Sequence, residues 1–156
     1  MHLAQHFALV DGVDISPTMI RRAVERGLPD NVRLCVCSGR DLEGFEDHSF
    51  DFVFSHHVFQ HVSEDAIIES YLREIARVLR PGGVAVLQHD TRRVSRLAAA
   101  LHLLPDPLLP RTRRRGMRRY RRPAAQIRQL GLAAGLTLDA EREPDSHRHW
   151  FRWRLP

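Results

Sequence analysis

The stretch from Ser49 to Val62 constrains the fold of this chain more than any other. Its first half, Phe50–Phe54, is an apolar and aromatic run broken only by Asp51. Such a run predicts a strand that is covered on both faces, as in parallel sheets. The run stops at Ser55. Three histidines follow it: His56, His57 and His61. Polar residues at the carboxyl end of a buried strand lie where open α/β sheets bind ligands, so the stretch predicts one wall of an active site.

Strands and helices alternate regularly along residues 8–91. Apolar runs predict strands over Ala8–Ile15, Val32–Cys37, Phe50–Phe54 and Val84–Leu87. Between them, helical spacing predicts helices over Pro17–Arg26 and from Ser63 to Leu79, capped by Ser16 and Ser63. This alternation favours an α/β fold with a doubly wound, mostly parallel sheet.

The remainder of the chain follows another pattern. An amphipathic helix is predicted from Val94 to Leu104, and the segment Arg111–Arg122 is very basic. A helix over Pro123–Ala134 precedes two predicted strands, Leu136–Glu143 and His149–Leu155, which a turn joins into an antiparallel hairpin. The fold class is therefore α/β with a C-terminal antiparallel strand pair, in a chain whose 156 residues suit one domain.

The charge and composition of the chain exclude few functions. The formal charge of +5 comes from arginine, because the sequence contains no lysine. That bias is more typical of GC-rich coding than of a selected nucleic-acid surface, although Arg111–Arg122 leaves RNA binding as an alternative. No apolar run approaches the ~20 residues that span a bilayer, and the start lacks a signal-peptide pattern. We therefore expect a cytoplasmic protein without a membrane span.

The cysteines and two of the histidines are weighed as metal ligands. Cys35 and Cys37 face the same side of a strand and are interpreted as buried, apolar residues, since two cysteines alone make neither a disulfide framework nor a zinc site. His57 and His61 would share one face of a helix, but no glutamate accompanies them in a His-Glu-x-x-His arrangement. No metal site is predicted.

Four motifs occur in order along residues 12–83. They read Gly-Val-Asp-Ile-Ser-Pro-x-Met-Ile at 12–20, Asp-x-Ser-Phe-Asp-Phe-Val-Phe-Ser at 47–55, Gln-His-Val at 60–62 and Leu-Arg-Pro-Gly-Gly at 79–83. In this order and spacing the sequence resembles class I S-adenosylmethionine-dependent methyltransferases, and most of all the small-molecule group that includes the quinone-biosynthesis enzymes. The resemblance covers most of residues 8–91 and implies a Rossmann-like fold, S-adenosylmethionine as cofactor and methyl transfer to a small molecule.

The resemblance also implies the residues that bind the cofactor. Asp14, with Ile15 beside it, matches the position whose carboxylate accepts both ribose hydroxyls, although a plain helix-terminal charge also explains Asp14. Arg40, Asp41 and Leu42 match the adenine contacts, where Asp41 can accept from the exocyclic amine and Leu42 can pack on the ring. Ordinary loop polarity explains Asp41 nearly as well. The positions that line the methionine end are Ser55 and His56.

The catalytic candidates are His56 and His57. Either one can act as a general base near neutral pH and deprotonate a hydroxyl acceptor. His61 matches a position that is usually structural, and Asp51 is interpreted as a structural residue at the start of its strand.

The resemblance divides one domain, residues 1–156, into three parts. Residues 8–91 form the cofactor-binding core, 92–122 a substrate lid or insert, and 123–156 a closing helix and two strands. The apolar face predicted for the helix after Arg92 suggests an acceptor with hydrophobic parts. The sequence does not indicate an oligomeric state.

One part of the family pattern is missing. The family's first strand and Gly-rich loop should precede Ala8, where this sequence has seven residues, and no Gly-x-Gly occurs in it. We therefore expect an N-terminally incomplete fold, with cofactor binding weak or absent and methyl transfer impaired. The alternatives are a catalytically inactive interaction domain and an RNA methyltransferase that uses the basic segment.

Overall fold

The computed structural model of this protein describes residues 3–93, 105, 107 and 119–156. The chain forms two compact units, Met1–Gly44 and Phe45–Pro156. The helix predicted over residues 94–104 and most of the basic segment lie outside the described residues. The predicted lid therefore stays a prediction, as does the single domain spanning 1–156.

The described residues form strands and helices in the predicted order. The strands are β1 (Val10–Asp14), β2 (Val32–Val36), β3 (Phe50–Ser55), β4 (Leu79–His89), β5 (Thr137–Arg142) and β6 (His149–Arg154). The helices are α1 (Pro17–Glu25), α2 (Asp65–Val78) and α3 (Ala124–Ala133), with short 3₁₀ turns at Leu3–Gln5 and Phe59–His61. None of the helices among these residues is both long and apolar enough to cross a membrane.

The first unit is a βαβ arrangement. Strands β1 and β2 pair in parallel, from Val10 opposite Val32 to Asp14 opposite Val36, so both strands end at the same level. Helix α1 joins them, and the predicted cap is confirmed because the Ser16 hydroxyl accepts a hydrogen bond from the Met19 amide at 3.3 Å.

The first unit has no buried side chain among residues 3–44. The prediction that Cys35 and Cys37 are buried is therefore wrong: Cys35 is exposed and Cys37 is half-buried. Cys35 shares a face of β2 with Arg33, and both residues are exposed, so this face of the strand is open to solvent. Neither cysteine forms a disulfide.

The second unit is built on a four-stranded sheet in the order β3-β4-β6-β5. Strand β3 pairs with β4 in parallel, and β6 pairs antiparallel with both β4 and β5. The predicted C-terminal hairpin is confirmed. Parallel pairs in both units, joined through helices, match the predicted α/β class with a closing antiparallel pair.

One face of this sheet carries the hydrophobic core. Alternate residues of β4 and β6 point to that face and are buried: Ala85, Leu87, Phe151 and Trp153. Helices α2 and α3 contribute Ile68, Leu72, Ile75 and Ile127. The closest approach is at Gly131 of α3, where an added Cβ would lie 2.3 Å from Cη2 of the Trp153 ring. Glycine is therefore required for α3 to pack on β6.

Two sequence predictions about this unit are wrong. The Phe50–Phe54 run is not covered on both faces, because Phe54 points away from the core and is 44% exposed. Ser63 does not cap the second helix, which begins at Asp65 after Glu64, and no side chain caps it. Instead, the Asp65 carboxylate accepts from Arg122 Nε at 2.5 Å. A contact across 57 residues thus holds this helix end in place of a local cap.

Candidate functional site

Asp14 ends β1 directly before the amino end of α1. Its Oδ1 accepts from the Ser16 amide at 2.8 Å, and its carbonyl oxygen accepts from the Cys37 amide at 3.0 Å. Within the described residues the carboxylate uses Oδ1 alone, which leaves Oδ2 for a ligand. A carboxylate held between a strand end and a helix end is suited to accept from the hydroxyls of a ribose.

The loop after β2 is closed by its own side chains. Ser38 Oγ accepts from the Arg40 and Asp41 amides at 3.1 and 3.3 Å and donates to Asp41 Oδ1 at 2.8 Å. The Glu43 amide also donates to Asp41 Oδ1, at 3.3 Å. Asp41 therefore has a structural role in the loop, and its Oδ2 is not needed for that role.

The same loop approaches Ile15 closely. Gly39 has a φ of +80°, and a Cβ added to it would lie 2.9 Å from the Ile15 Cγ2 atom. Glycine meets both demands, the left-handed backbone and the close approach. The first unit therefore brings five predicted cofactor residues to one edge: Asp14, Ile15, Arg40, Asp41 and Leu42. Ile15 is 67% exposed there and Leu42 is half-buried.

The second unit places the remaining predicted residues at the end of β3. Ser55 pairs in register with Leu87 of β4 and is half-buried. The His56 ring stacks on Trp150, with centroids 5.1 Å apart, and lies 3.7 Å from the His57 ring. Partial burial, together with the neighbouring charges of His57 and Arg148, lowers the pKa of His56. His56 is therefore neutral near pH 7 and able to accept a proton.

His57 is held in an unusual conformation. Its φ is +60°, which is uncommon outside glycine, and its amide donates to Gln88 Oε1 at 2.9 Å. Gln60 Nε2 lies 3.1 Å from His57 Nδ1 and 3.3 Å from His61 Nε2. An amide nitrogen donates, so His57 accepts at Nδ1 and carries its proton on Nε2. Two glutamines therefore hold His57, Gln88 at its backbone amide and Gln60 at its ring, and neither was predicted as a site residue.

Polar residues at the end of β4 form a further cluster that the sequence interpretation missed. Four consecutive residues there are buried: Gln88, His89, Asp90 and Thr91. His89 pairs with His149 across β4 and β6, and His149 Nδ1 lies 2.9 Å from Thr91 Oγ1. The signal that identified the end of β3 was also present here, because the apolar run Val84–Leu87 ends in polar, titratable residues.

The structure offers no obvious metal centre in the part of the chain that it describes. Within residues 3–93, 105, 107 and 119–156, no three His, Cys, Asp or Glu side chains form a group able to hold a metal ion. His61 is exposed and contacts Gln60. Both carboxylate oxygens of Asp51 accept from Arg80 Nη1, at 2.8 and 2.9 Å, and this ion pair links the start of β3 to the start of β4.

The predicted cofactor residues fall into two sets, one in each unit. Asp14, Ile15 and residues 40–42 lie together in the first unit, and Ser55 with His56 lies in the second. Each set occupies the carboxyl end of parallel strands, where ligands bind in open α/β sheets. The first set fits the adenosine half of a cofactor, because it combines an available carboxylate oxygen with an exposed apolar side chain.

Comparison with known proteins identifies relatives. A family model described as a methyltransferase domain matches residues 1–87, more than half of the chain. The chain is 34% identical over 89 residues to a 2-methyl-6-phytyl-1,4-hydroquinone methyltransferase of Synechocystis sp.. That match covers 54% of this chain and 27% of the relative, so the chain spans about a quarter of that protein's length.

Solved structures share the fold. An S-adenosylmethionine-dependent methyltransferase from Methanosarcina mazei matches 98% of this chain and 84% of its own, with a TM-score of 0.76 and 18% identity. An S-adenosylmethionine-dependent methyltransferase from Mesorhizobium loti gives a TM-score of 0.72 at 16% identity, over 98% of this chain and 84% of its own. The predicted family and Rossmann-like fold class are confirmed. The chain belongs to the class I S-adenosylmethionine-dependent methyltransferases.

Proposed function

We propose that this chain contributes the adenosine-binding and acceptor-side surfaces of an enzyme that methylates a small molecule with apolar parts. The observation that carries the proposal is Asp14, whose Oδ2 is available beside the α1 amino end and the closed 38–43 loop. Asp14 binds the ribose hydroxyls, Ile15 and Leu42 contact the adenine, and Arg40 and Asp41 border it. Ser55 and His56 line the methionine end of the cofactor.

The chemistry proposed for the site needs positioning and one base. S-adenosylmethionine supplies a methyl group on a positively charged sulfur, and in-line transfer depends mainly on the orientation of the acceptor. His56 or His57 takes the proton of a hydroxyl acceptor. For His57 to accept the substrate proton at Nε2, its own proton must first be on Nδ1. A half-turn of the Gln60 amide would place Oε1 beside Nδ1, where it accepts a hydrogen bond from the Nδ1 proton.

The acceptor class rests on the relative and on the sequence. The Synechocystis relative is named as a methyltransferase of a phytyl hydroquinone, a molecule with a long apolar tail. The predicted apolar helix after Arg92 supports a similar preference here. The absence of a disulfide at Cys35 and Cys37 supports the cytoplasm as the proposed location.

RNA as the acceptor is not favoured. Of the basic segment Arg111–Arg122, the structure describes residues 119–122, and two of these arginines face carboxylates within the protein. Arg122 pairs with Asp65 and Arg121 Nε lies 3.7 Å from the Asp90 carboxylate. Arg122, which is buried, is thereby engaged inside the protein and is not extended toward a nucleic-acid backbone.

Calorimetric titration with S-adenosylmethionine tests the cofactor assignment. We expect weak binding by residues 1–156, because the sequence has no Gly-x-Gly, and tighter binding by a version extended upstream in the reading frame. Asp14→Asn should weaken binding about tenfold, the usual loss for a charged hydrogen-bond acceptor. Asp30→Asn, a change of the same charge at an exposed position, is the matched control.

Two outcomes of this titration would contradict the cofactor assignment. If neither form binds the cofactor, the assignment is wrong and the inactive interaction domain is the better reading. If both forms bind and Asp14→Asn and Asp30→Asn behave alike, the cofactor binds elsewhere on the chain.

A further inference from the structure

A cavity of about 470 Å³ lies in the second unit, where three segments meet. These segments are the chain after β4, the amino end of α3 and the turn between β5 and β6. Its wall contains five arginines and one carboxylate: Arg92, Arg93, Arg121, Arg122, Arg128 and Asp145. We call it the arginine pocket. Its volume is in the range of sites that hold a small molecule.

Carboxylates of the protein orient three of these arginines: Arg92, Arg121 and Arg128. Asp90, which is 1% exposed, accepts from Arg92 at 3.0 and 2.6 Å and also lies 3.7 Å from Arg121 Nε. Arg128 forms a bidentate ion pair with Glu141, at 3.0 and 2.9 Å. Guanidinium groups held in place lose little freedom when a ligand binds, which favours recognition of a planar or tetrahedral oxyanion.

The pocket has positive charge in excess. Four carboxylates accompany its five guanidinium groups. Asp145 lies in the pocket wall, and three others form ion pairs with arginines of the wall: Asp65, Asp90 and Glu141. Among the described residues, one positive charge therefore has no matching carboxylate. Arg92 and Arg121 share a single carboxylate, and Arg93 has no carboxylate within ion-pair distance in the described part of the chain.

Backbone donors add to this charge. Ala124 and Ala125, the first residues of α3, line the pocket. Amides in the first turn of a helix have no acceptor within the helix, and the helix dipole is positive at that end. The pocket thus combines guanidinium and amide donors, a set that suits phosphate or carboxylate oxygens.

We propose that the arginine pocket binds an acidic group, a phosphate or a carboxylate, carried by the acceptor molecule. The proposal rests on the proposed function for the identity of the acceptor, and it adds an acidic group to the apolar parts inferred above. The pocket begins at Thr91, two residues beyond the end of β4, so the acidic group binds at the carboxyl side of that strand. Arg93 and Arg121 supply the charge that the bound oxyanion neutralises.

Titration with inorganic phosphate and with phenyl phosphate, each without cofactor, tests the proposal. Amide chemical shifts of Thr91, Arg93 and Ala125 should move in a saturable way, and phenyl phosphate should bind more tightly than inorganic phosphate. Arg93→Gln and Arg121→Gln should each weaken binding about tenfold, as expected for one charge-assisted contact. Arg73→Gln, which removes the same charge from the exposed surface of α2, should leave binding unchanged.

Three outcomes would overturn the proposal. They are the absence of saturable shifts at the pocket, equal weakening by Arg73→Gln and Arg93→Gln, and tighter binding of a short single-stranded RNA than of phenyl phosphate through the same arginines. Because Arg93 is exposed, its replacement should leave the thermal unfolding midpoint unchanged, which separates loss of binding from loss of folding. If the protein binds phosphate but not S-adenosylmethionine, the arginine pocket is an oxyanion site and the proposal of methyl transfer is wrong.

Discussion

The most distinctive stability prediction concerns His89 on β4. Its ring is buried between Phe59, at a stacked centroid distance of 4.9 Å, and Phe151, at 5.6 Å edge to face. Its Nε2 atom has no hydrogen-bond partner in the part of the chain that the structure describes. Burial, with the nearby charges of Arg122 and His149, lowers the pKa of His89 to about 3. The folded protein therefore keeps this ring neutral in acid.

The lowered pKa makes the folded state sensitive to acid. Below pH 6.5 the ring of the unfolded chain takes up a proton, whereas the folded protein does so only near pH 3. Stability is therefore unaffected by His89 above pH 6.5 and falls as the pH drops from there toward 3. Each pH unit in that window costs about 1.4 kcal/mol, so lowering the pH from 6.5 to 5 costs about 2 kcal/mol. Burial also lowers the pKa of His149, which adds to the loss in the same direction.

Urea unfolding at about pH 7, 6 and 5 measures this effect, followed by the fluorescence of Trp150 and Trp153. His89→Phe preserves the aromatic stacking and removes the titrating group, so it should abolish roughly 2 kcal/mol of the loss between pH 6.5 and 5. The comparison uses the dependence of stability on pH within each variant, so a constant packing cost of the larger ring cancels. His6→Phe makes the same change at an exposed histidine and should leave the pH dependence intact. If His89→Phe unfolds with the same pH dependence as the unmodified protein, the buried neutral histidine is not the cause.

The remaining predictions concern the packing at Gly131 and the ring of His57. Gly131→Ala should destabilise the protein by about 1–3 kcal/mol in urea unfolding, because the added Cβ would meet the Trp153 ring at 2.3 Å. Helix propensity alone predicts a gain of about 1 kcal/mol, so a stabilised variant would contradict the packing described here. Gln60→Leu should remove the donor at His57 Nδ1 and shift the ring nitrogen resonances of His57 toward a mixture of both neutral forms. Unchanged nitrogen shifts would show that Gln60 does not set the position of that proton.

Local features of the structure followed from the sequence where the interactions are local. Ser16 caps α1 and Pro17 occupies its first turn, because both act on their immediate neighbours. The hairpin of β5 and β6 was predicted from its turn and the flanking apolar alternation.

Features that depend on distant contacts were mispredicted or missed. The amino end of α2 depends on Arg122, far along the chain, so the nearby Ser63 gave a misleading cap signal. Exposure of Cys35 depends on which face of a two-stranded sheet is covered, and strand alternation alone does not specify that. Gln60 and Gln88 contact His57 only because the fold brings them together, and a glutamine in a sequence does not by itself predict such a contact.

The central claim is that Asp14 and the loop after β2 hold the adenosine half of S-adenosylmethionine. Titration of the protein with S-adenosylhomocysteine, the demethylated form of the cofactor, tests it most directly when every backbone amide shift is followed. The account predicts that the largest shifts occur at Asp14, Ile15 and residues 40–42, and that Asp14→Asn reduces them. Shifts concentrated in the arginine pocket, or none at Asp14 and the 40–42 loop at saturating ligand, would contradict it.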